Sequence, residues 1–479
     1  MTKIATLLLG LTTAAMALPA YAQTPAAVLA DPNARLKPEQ RDGTLRLHGS
    51  NTIGAELGPE LLLAYGRDAG LGSAREEPGA QAEERMIVME GSETGRVLRG
   101  EVFAHGSKTA FEDLQSGKTD IGMSSRRIKP EEAAALKAAG LGDMLKNGNE
   151  TIISLDGIVF VVHHDNPVRA LTLAKLRDLM SGAVRNWYQI GGPDLPVTVY
   201  ARDARSGTFD LVRERVLGKD ARLSPDAKLF ESSEDLADAV AADRSAIGFA
   251  GVAYVRNARA LAIDGGCALP PTEPTVFQVK TEEYALARRL YLYAGDRRAP
   301  LSEDFRRFTL LPQVYPVVEH AGFVSLEPLV AGPEVTEARS AALSTDTLPA
   351  AFAKPAAEQI RLFQAAIHGQ QRLSITARFE AGTAKLDARA EDDLKRLALW
   401  ARTGGAGRTF TLIGHSSSDG DFAANVDLSR RRAREVEAKL RALGLKIASV
   451  TGVGPISPVA CDGKPEAGNL NRRVEVWVQ

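Results

Sequence analysis

Residues 201–210 read Ala-Arg-Asp-Ala-Arg-Ser-Gly-Thr-Phe-Asp, and they stand between a strand pattern and a helix pattern. The preceding residues 197–200, Val-Thr-Val-Tyr, are β-branched or aromatic, which favours a strand. Downstream, apolar residues recur at helical spacing from Phe209 to Leu217. The stretch therefore predicts a strand, a tight turn and a helix start, the unit from which α/β folds are built.

The same turn has the chemistry of an anion site. Ser206 and Thr208 can cap the helix, and Gly207 lets the backbone come close to a ligand. The free N–H groups of a first helical turn favour an anion, and Arg202 at the strand end can donate to the same anion. A capped helix with a surface arginine is the alternative for this stretch taken alone.

The composition indicates more than one domain and argues against a general nucleic-acid binder. A chain of 479 residues is long enough for two or three domains, and it is 44% hydrophobic and 25% charged, as packed domains require. A formal net charge of −1 argues against a general nucleic-acid binder. Residues 372–479 are basic, with 18 Lys and Arg against 13 Asp and Glu, which indicates either an acidic partner or a solvated basic face.

The N-terminus has the pattern of a secretory signal peptide over residues 1–22. Lys3 supplies the charge, Ile4 to Leu18 form the apolar region, and residues 20–22, Ala-Tyr-Ala, are a small-x-small cleavage site. No later run of ~18 apolar residues follows. We therefore expect an exported periplasmic chain that does not span a membrane.

The rest of the chain divides into four segments. Residues 23–42 are polar and predict a flexible leader, and residues 43–330 alternate strand and helix patterns. Within this segment, Ile152 to His163 is an almost unbroken apolar run, typical of a strand buried on both faces. Residues 331–371 predict a linker that contains a helix, and residues 372–479 a smaller unit of strands and helices.

The chain has two cysteines, Cys267 and Cys461. Export permits a disulfide, but a bridge needs Cα atoms within about 7 Å. Because the two residues lie far apart and in different predicted domains, unpaired cysteines are favoured, and the sequence leaves their state open.

Three helix starts in the α/β segment carry hydroxyl groups in the same position. They are Ser50 with Thr52, Ser107 with Thr109, and Ser206 with Thr208. In parallel α/β sheets such turns meet at the carboxyl ends of the strands, where backbone N–H groups bind oxyanions. Together with Arg202 they predict one anion cradle.

Residues 43–330 resemble the periplasmic phosphate-binding proteins of ABC uptake systems. The resemblance rests, in order along the chain, on residues 49–53, 106–107, 120–126, 155–159, 181–187 and 202–208. It implies an α/β two-lobed periplasmic-binding-protein fold of type II-like topology, with lobe one over 43–150 and 246–330 and lobe two over 151–245. It also implies phosphate as the ligand and an ABC transporter permease or an envelope sensor as partner. The phosphate contacts expected from it are Ser50, Thr52, Ile53, Ser107, Ser125, Arg202, Ser206, Gly207 and Thr208.

One position departs from this family. Ser125 stands where the best-studied phosphate binders carry an Asp that accepts a hydrogen bond from protonated phosphate and so rejects sulfate. Asp203 lies near the cradle and could replace it. Phosphate is the first choice of ligand, and sulfate or another tetrahedral oxyanion is the alternative.

The basic unit contains an arginine in an unusual place. On the helix predicted over residues 425–443, Arg432 falls within the apolar stripe, between Leu428 and Val436. An arginine there needs an acidic partner, which is either internal or part of a ligand. Arg430, Arg431 and Arg434 lie away from the stripe and predict a solvated face.

Residues 373–479 resemble the OmpA-like peptidoglycan-binding domain. The matching stretches are residues 379–386, 414–415, 425–433 and 471–475. The resemblance implies an α+β domain with a mixed sheet that holds the diaminopimelate of peptidoglycan, with Arg432 on a ligand carboxylate. The family's Asp for the ligand ammonium is replaced by Ser417, and Asp419 is close enough to substitute if the loop rearranges. The peptidoglycan contacts expected from it are Asn425, Arg432, Asp419, Ser417 and Arg472.

The sequence carries no pattern of an enzyme or of a cofactor site. The seven histidines form no H-E-x-x-H, and neither G-x-S-x-G nor a phosphate-binding P-loop is present. His163, His164 and Asp165 predict the solvated end of a strand rather than a metal site, and residues 419–421 lack the other ligands of a calcium loop. We therefore predict a phosphate-binding protein tethered to peptidoglycan. The alternative is a structural or sensory envelope protein whose body has lost its ligand and serves as a docking surface.

Overall fold

The structure, a computed structural model, describes residues 35–479 apart from residues 82, 147, 204–205, 231, 268, 344–349, 380–382 and 462–464. The predicted signal peptide 1–22, residues 23–34 of the predicted leader and residues 380–382 of the OmpA-like motif lie outside the described residues. Within the described ranges, no helix has the length and apolar character needed to cross a membrane.

The strands and helices follow one another in α/β order. The strands are β1 (Gly43–Gly49), β2 (Ser73–Pro78), β3 (Glu84–Glu90), β4 (Val97–Phe103), β5 (Ile121–Ser124), β6 (Glu150–Val162), β7 (Ala170–Thr172), β8 (Thr198–Arg202), β9 (Lys228–Phe230), β10 (Ala246–Gly251), β11 (Arg259–Ala260), β12 (Ala262–Asp264), β13 (Ala287–Tyr293), β14 (Gln371–Arg378), β15 (Phe410–Gly414), β16 (Ile447–Gly452) and β17 (Arg473–Val478). The α-helices are α1 (Gly58–Asp68), α2 (Ser107–Gln115), α3 (Pro130–Ala138), α4 (Leu173–Met180), α5 (Gly207–Val212), α6 (Ser233–Ala242), α7 (Val276–Lys280), α8 (Pro300–Phe308), α9 (Tyr315–His320), α10 (Pro333–Ala341), α11 (Ala353–Ile367), α12 (Ala388–Arg402), α13 (Phe422–Ala442) and α14 (Pro465–Asn471). Single π-helical turns, Ile53–Leu57 and Arg213–Leu217, precede α1 and follow α5.

Two lobes share one strand. The first lobe has the strand order β2-β3-β4-β1-β5-β13-β6, in which β1 runs parallel to β4 and β5. The second continues from β6 through β10, β8 and β9, with parallel pairs β10–β8 and β8–β9. All 13 residues of β6 are buried. A strand that is covered on both faces needs a nearly continuous apolar run, and the sequence has such a run here. The two-lobed α/β fold predicted from the sequence is therefore confirmed.

The predicted boundary between the lobes is wrong at residue 246. Strand β10 pairs with β8 and with the C-terminal half of β6, and β12 pairs with β7, so this part of the chain stays in the second lobe. The chain returns to the first lobe at β13, which pairs with β5 and with the N-terminal half of β6.

The end of the predicted leader is attached to the body. Arg35 and Arg41 both form ion pairs with the buried Asp304 on α8, at 3.1 and 2.9 Å, and Arg41 also reaches Asp68 at 2.6 Å. Tyr65 on α1 donates to the same Asp304 carboxylate at 2.7 Å. Residues 35–42 therefore belong to the folded body, because their two guanidinium groups pair with the buried carboxylate of Asp304.

The C-terminal domain has three layers around a mixed sheet. The sheet order is β14-β17-β15-β16, with only the β15–β16 pair parallel, as the α+β prediction requires. Helices α12 and α13 cover one face. The other face is covered by α11, whose Phe363 and Ile367 pack with Trp477 on β17. The helix predicted to lie in a linker is therefore part of the domain core.

The body and the C-terminal domain are joined by ion pairs and by a disulfide. Between α7 and β13, Glu283 accepts from Arg372 on β14 at 3.0 Å, and Glu282 pairs with Arg389 on α12 at 2.7 Å. Cys267 and Cys461 form a disulfide with Cα atoms 6.0 Å apart. The expectation of unpaired cysteines is therefore wrong, because packing of the two domains brings together residues that are 194 positions apart.

Candidate functional site

A cleft of about 710 Å³ lies between the two lobes. The first lobe contributes Asn51 and Thr52 from the turn after β1. The second lobe contributes Arg202, Ser206 and Thr208 from the end of β8 and the start of α5. The cleft therefore combines two of the three predicted helix starts with the predicted arginine.

The local sequence explains how α5 presents its first turn. Ser206 has an extended backbone, and its Oγ accepts from the N–H of Phe209 at 3.3 Å, which is the predicted N-cap. Gly207 and Thr208 are the first residues of the helix, and Thr208 lies in the cleft wall. Hydroxyl groups and the N-terminus of a helix thus meet at one side of the cleft, where they can donate to an oxyanion.

Arg202 is the cation of the second lobe's wall. Its Nε donates to the carbonyl of Phe230 at 3.3 Å and its Nη1 to Ser233 Oγ at 2.5 Å, which fixes the guanidinium at the end of β8. Burial lowers the pKa of Arg202, although the nearby Asp203 and Tyr254 act in the opposite direction. A partly desolvated guanidinium gains more from an anion than one in water does.

The hydroxyl group of Thr52 accepts a hydrogen bond from Arg288, which forms an ion pair that the site prediction did not include. Arg288 on β13 donates from Nη2 to Thr52 Oγ1 at 3.0 Å, and from Nε and Nη2 to Asp156 Oδ2 at 2.9 and 2.7 Å. Asp156 lies on β6 and lines the cleft. A carboxylate inside the otherwise apolar run 152–163 was the signal available in the sequence, because such a group needs a partner. Arg288 had no local signal.

Ser50, Ile53, Ser107 and Ser125 are not among the described residues that line this cleft. Ser50 is buried and its Oγ accepts from the N–H of Ile53 at 3.4 Å, so these two residues stabilise their own turn. Ser107 and Ser125 bond to each other, with 3.1 Å between their hydroxyl oxygens and 3.0 Å from Ser125 N to Ser107 Oγ. Gly207 contributes the helix start next to the lining residues Ser206 and Thr208.

Among the described residues that line the cleft, carboxylates outnumber guanidinium groups. Glu56, Glu83 and Glu234 line it together with Asp203, whereas Arg85 is the basic residue of the first lobe's rim. The described charges of the lining therefore do not by themselves favour an anion. Its stabilisation has to come from Arg202 and from the hydroxyl and N–H donors inside.

The C-terminal domain holds a second candidate site at Arg432. Its side chain is fully buried, with the guanidinium 5.3 Å from the centre of the Phe379 ring and Nε donating to the Thr383 carbonyl at 3.0 Å. Nη1 and Nη2 are buried and have no hydrogen-bond partner among the described residues. Burial lowers the pKa of Arg432 to about 10, and the charges of Arg472 and Arg431 act in the same direction. The internal salt bridge considered from the sequence is therefore not formed within the described ranges.

The other residues predicted for this site have different surroundings. Asn425 is buried and donates from Nδ2 to the Asp419 carbonyl at 2.8 Å, which holds the loop before α13. Ser417 is buried, whereas the Asp419 side chain is exposed. Arg472 donates to Asn469. On the outer face of α13, Arg430, Arg431 and Arg434 are exposed as predicted.

His163, His164 and Asp165 follow β6 directly. The imidazole rings stack with centroids 4.1 Å apart, and the three potential ligand atoms lie within 4.8 Å of one another. His163 Nδ1 accepts from the N–H of Asp165 at 3.1 Å, and the Asp165 carboxylate pairs with Arg244. The two rings therefore lie on the same side, unlike the alternation expected within a strand, because the strand ends at Val162.

Comparison with known families assigns both parts of the chain. Residues 97–313 match the PBP superfamily domain, and residues 378–472 match the OmpA family. The chain therefore carries a periplasmic-binding-protein-like domain followed by a C-terminal OmpA-family domain.

Among individual proteins, the body is similar to phosphate-binding proteins. The phosphate-binding protein PstS of Staphylococcus saprophyticus is 29% identical over 309 residues, which cover 59% of this chain and 90% of that protein. An ABC-type phosphate transport receptor from Vibrio cholerae has a TM-score of 0.45 and 21% identity, covering 58% of this chain and 99% of the receptor. The peptidoglycan-associated lipoprotein of Burkholderia pseudomallei has a TM-score of 0.21 and 22% identity, covering 22% of this chain and 89% of the lipoprotein.

Proposed function

We propose that this chain is a periplasmic oxyanion-binding protein, with phosphate as its preferred ligand, which the C-terminal domain tethers to peptidoglycan. The observation that carries the first part is the meeting of Thr52, Arg202, Ser206 and Thr208 in one cleft between the lobes. Hydroxyl and N–H donors together with the Arg202 guanidinium suit a dehydrated tetrahedral anion. The similarity to phosphate-binding proteins supports phosphate among such anions. We propose no enzymatic activity.

Isothermal titration of the purified chain with phosphate tests the cleft. We expect 1:1 binding, weakened about 10- to 100-fold in Arg202→Ala, because a hydrogen bond to a charged group is worth about 1.5–3 kcal/mol. Arg244→Ala is the matched control, since Arg244 is on the same lobe but pairs with Asp165 at the surface. Absence of binding to phosphate and to every other oxyanion tested would reject this part of the proposal.

The tethering part is supported by Arg432. A buried guanidinium whose terminal nitrogens lack partners is costly, and a ligand carboxylate would supply the missing acceptors. Because the side chain is fully covered, binding requires the segment around Thr383 to move aside. Ser417 cannot replace the family's Asp as a charged partner of a ligand ammonium, so we expect weaker binding than in relatives that carry this Asp.

Co-sedimentation with purified peptidoglycan sacculi tests the tether. We expect the purified chain to sediment with sacculi and Arg432→Ala to remain in solution. Arg430→Ala is the control, because Arg430 is an exposed residue of the same helix. Equal sedimentation of Arg432→Ala and the unchanged chain would count against the carboxylate role of Arg432.

A second candidate function is a docking body without a ligand, acting as a structural or sensory envelope protein. It is favoured by Ser125, which lacks the family's carboxylate and bonds to Ser107 outside the cleft walls. A panel of oxyanions in a thermal melt separates the two candidates. A rise of the melting temperature with phosphate supports binding, and an unchanged temperature with every anion supports the docking body. A permease of an ABC transporter or an envelope sensor is the partner we propose in either case.

A further inference from the structure

We propose that Asp156 is the acceptor that makes the cleft select an oxyanion carrying a proton, in place of the carboxylate missing at Ser125. This inference rests on the proposed oxyanion-binding function and names the residue that sets its specificity. It concerns a residue on β6, on a different element from Ser125 on the loop after β5.

Asp156 is fixed beside a proposed ligand residue. Its carboxylate is 3% exposed and accepts two hydrogen bonds from Arg288, at 2.9 and 2.7 Å, both at Oδ2. The same Arg288 Nη2 donates to Thr52 Oγ1 at 3.0 Å. One guanidinium therefore holds the carboxylate and the Thr52 hydroxyl side by side on the wall of the cleft.

The other oxygen of Asp156 lies near Gly251, a residue that lines the cleft. Oδ1 accepts no hydrogen bond from the described residues and lies 3.9 Å from the point where a β-carbon on Gly251 would stand. Gly251 and Asp156 both line the cleft, together with Arg202. Cδ2 of Tyr254, which also lines the cleft, lies 3.2 Å from the same point, so the Tyr254 ring borders Oδ1 on this side.

The chemistry of a lone carboxylate oxygen decides which anion fits. A carboxylate accepts hydrogen bonds only, so it pairs with the P–OH of hydrogen phosphate. Sulfate has no proton at neutral pH, and two acceptors would face each other. Arg288 compensates the charge of Asp156, so the acceptor does not by itself repel the phosphate dianion.

Two other groups could have filled this role. Ser125 Oγ is bonded to Ser107 and can donate as well as accept, so it discriminates poorly. Asp203 also lines the cleft, on the second lobe, and Asp203→Asn is therefore the matched control for Asp156→Asn.

The test measures phosphate and sulfate binding to the purified chain by isothermal titration. We expect the unchanged chain to bind phosphate and arsenate and to exclude sulfate. It should also bind monofluorophosphate poorly at weakly alkaline pH, because fluorine replaces the protonated oxygen. In Asp156→Asn, phosphate binding should weaken about 10- to 100-fold and sulfate should become a competitor, since the amide can donate. Asp203→Asn should retain the preference for phosphate.

The outcomes separate this inference from the proposed function. The role of Asp156 is overturned if Asp156→Asn still binds phosphate and still excludes sulfate. It is also overturned if Asp203→Asn, rather than Asp156→Asn, loses the preference for phosphate. Both outcomes leave the proposed function standing. An unchanged chain that binds no oxyanion overturns both. If Asp156→Asn does not fold, Asp156→Asn with Arg288→Gln removes both charges of the buried pair, and its ratio of phosphate to sulfate affinity is the deciding measurement.

Discussion

Arg432 and Arg473 are two arginines buried in the same domain, and burial lowers the pKa of each to about 10. Arg473 donates from Nε and Nη2 to Glu475 at 2.8 and 2.6 Å. Among the described residues, Arg432 lies against the face of the Phe379 ring and donates one hydrogen bond, to the Thr383 carbonyl. The two guanidinium groups are equally buried but differ in their partners, and a buried charge is tolerated only where hydrogen bonds replace its water.

Replacement of Arg432 is expected to separate stability from binding. Arg432→Met should raise the free energy of unfolding by about 1–3 kcal/mol at neutral pH, since it removes a charge that the folded state disfavours and keeps the volume. Urea denaturation measures this, and sacculus binding of the same variant should be lost. Arg473→Met is the control and should destabilise, because it leaves Glu475 with one partner fewer. Destabilisation of Arg432→Met would mean that this guanidinium is satisfied.

The sequence predicted single residues well where the chemistry is local. The cap at Ser206 depends on neighbouring backbone atoms, and the place of Arg202 follows from the end of a strand. The pairing of Asp156 with Arg288 joins two strands separated by more than a hundred residues, so no local pattern could reveal it. The same limit applies to Ser107 and Ser125, which bond to each other rather than lining the cleft.

At the scale of elements, α11 is the helix whose place in the molecule changes most from expectation. Its apolar spacing was visible, but the composition around it resembled a linker. In the structure α11 covers one face of the sheet. The ring centre of Phe363 lies 6.2 Å from that of Trp477 and 5.5 Å from that of His415. A helix of this kind owes its stability to packing more than to its own propensity.

Two neighbouring residues of α11 allow a matched test. Phe363 is fully buried, whereas Leu362 is 46% exposed. We expect Phe363→Ala to lower the free energy of unfolding by about 3–5 kcal/mol and Leu362→Ala by less than about 0.5 kcal/mol. Chemical denaturation followed by tryptophan fluorescence measures both, because Trp477 lies beside Phe363. Similarly small effects of the two substitutions would indicate that α11 belongs to a linker and not to the domain core.

Elements with a continuous or strictly periodic pattern were predicted best. The apolar run from Ile152 to His163 predicted a buried strand, and the structure has this strand, β6, over Glu150–Val162. Residues 73–78 form β2, an exposed edge strand beside β3, although they have no strand pattern. Its polar residues carry no strand signal, because the pairing rather than the side chains holds it in place.

At the scale of the whole molecule, buried charges lie where body and C-terminal domain meet. Glu283 and Glu475 share the cations Arg339 and Arg372. Burial opposes ionisation of Glu283, but Arg372 and Arg339 outweigh it and lower its pKa to about 2. The domains are thus joined by ionised carboxylates, which protonation at low pH can neutralise.

His415 makes the same region sensitive to mild acid. Burial lowers the pKa of its imidazole to about 4 from 6.5, with Arg473 acting in the same direction. The unfolded chain therefore binds more protons between these values, and stability should fall as the pH drops from about 6.5 to about 4, by about 2–3 kcal/mol. Urea denaturation over a pH series measures this loss, which His415→Gln should remove. The separate contribution of Glu283 is present above about 4.5 and is lost as the pH falls towards 2. An identical pH profile in His415→Gln would disprove the assignment.

The disulfide gives a redox test of the joined domains. Reduction of Cys267–Cys461 should lower the free energy of unfolding by about 2–4 kcal/mol, since the bridge closes a long loop in the unfolded chain. Denaturation with and without dithiothreitol measures the difference. The double variant Cys267→Ser with Cys461→Ser should match the reduced chain and should not respond to the reductant. Equal stability of the oxidised and reduced chains would show that the bridge contributes nothing.

The ion pairs and the disulfide between the body and the C-terminal domain also hold the cleft in one orientation relative to the C-terminal domain. A body on a flexible linker samples all orientations, and only a fraction of its encounters with a membrane partner are productive. With the C-terminal domain held on peptidoglycan, as proposed, this body would instead present one face at a set height above the membrane. The spacing between wall and membrane, rather than diffusion, would then decide which partners it can serve.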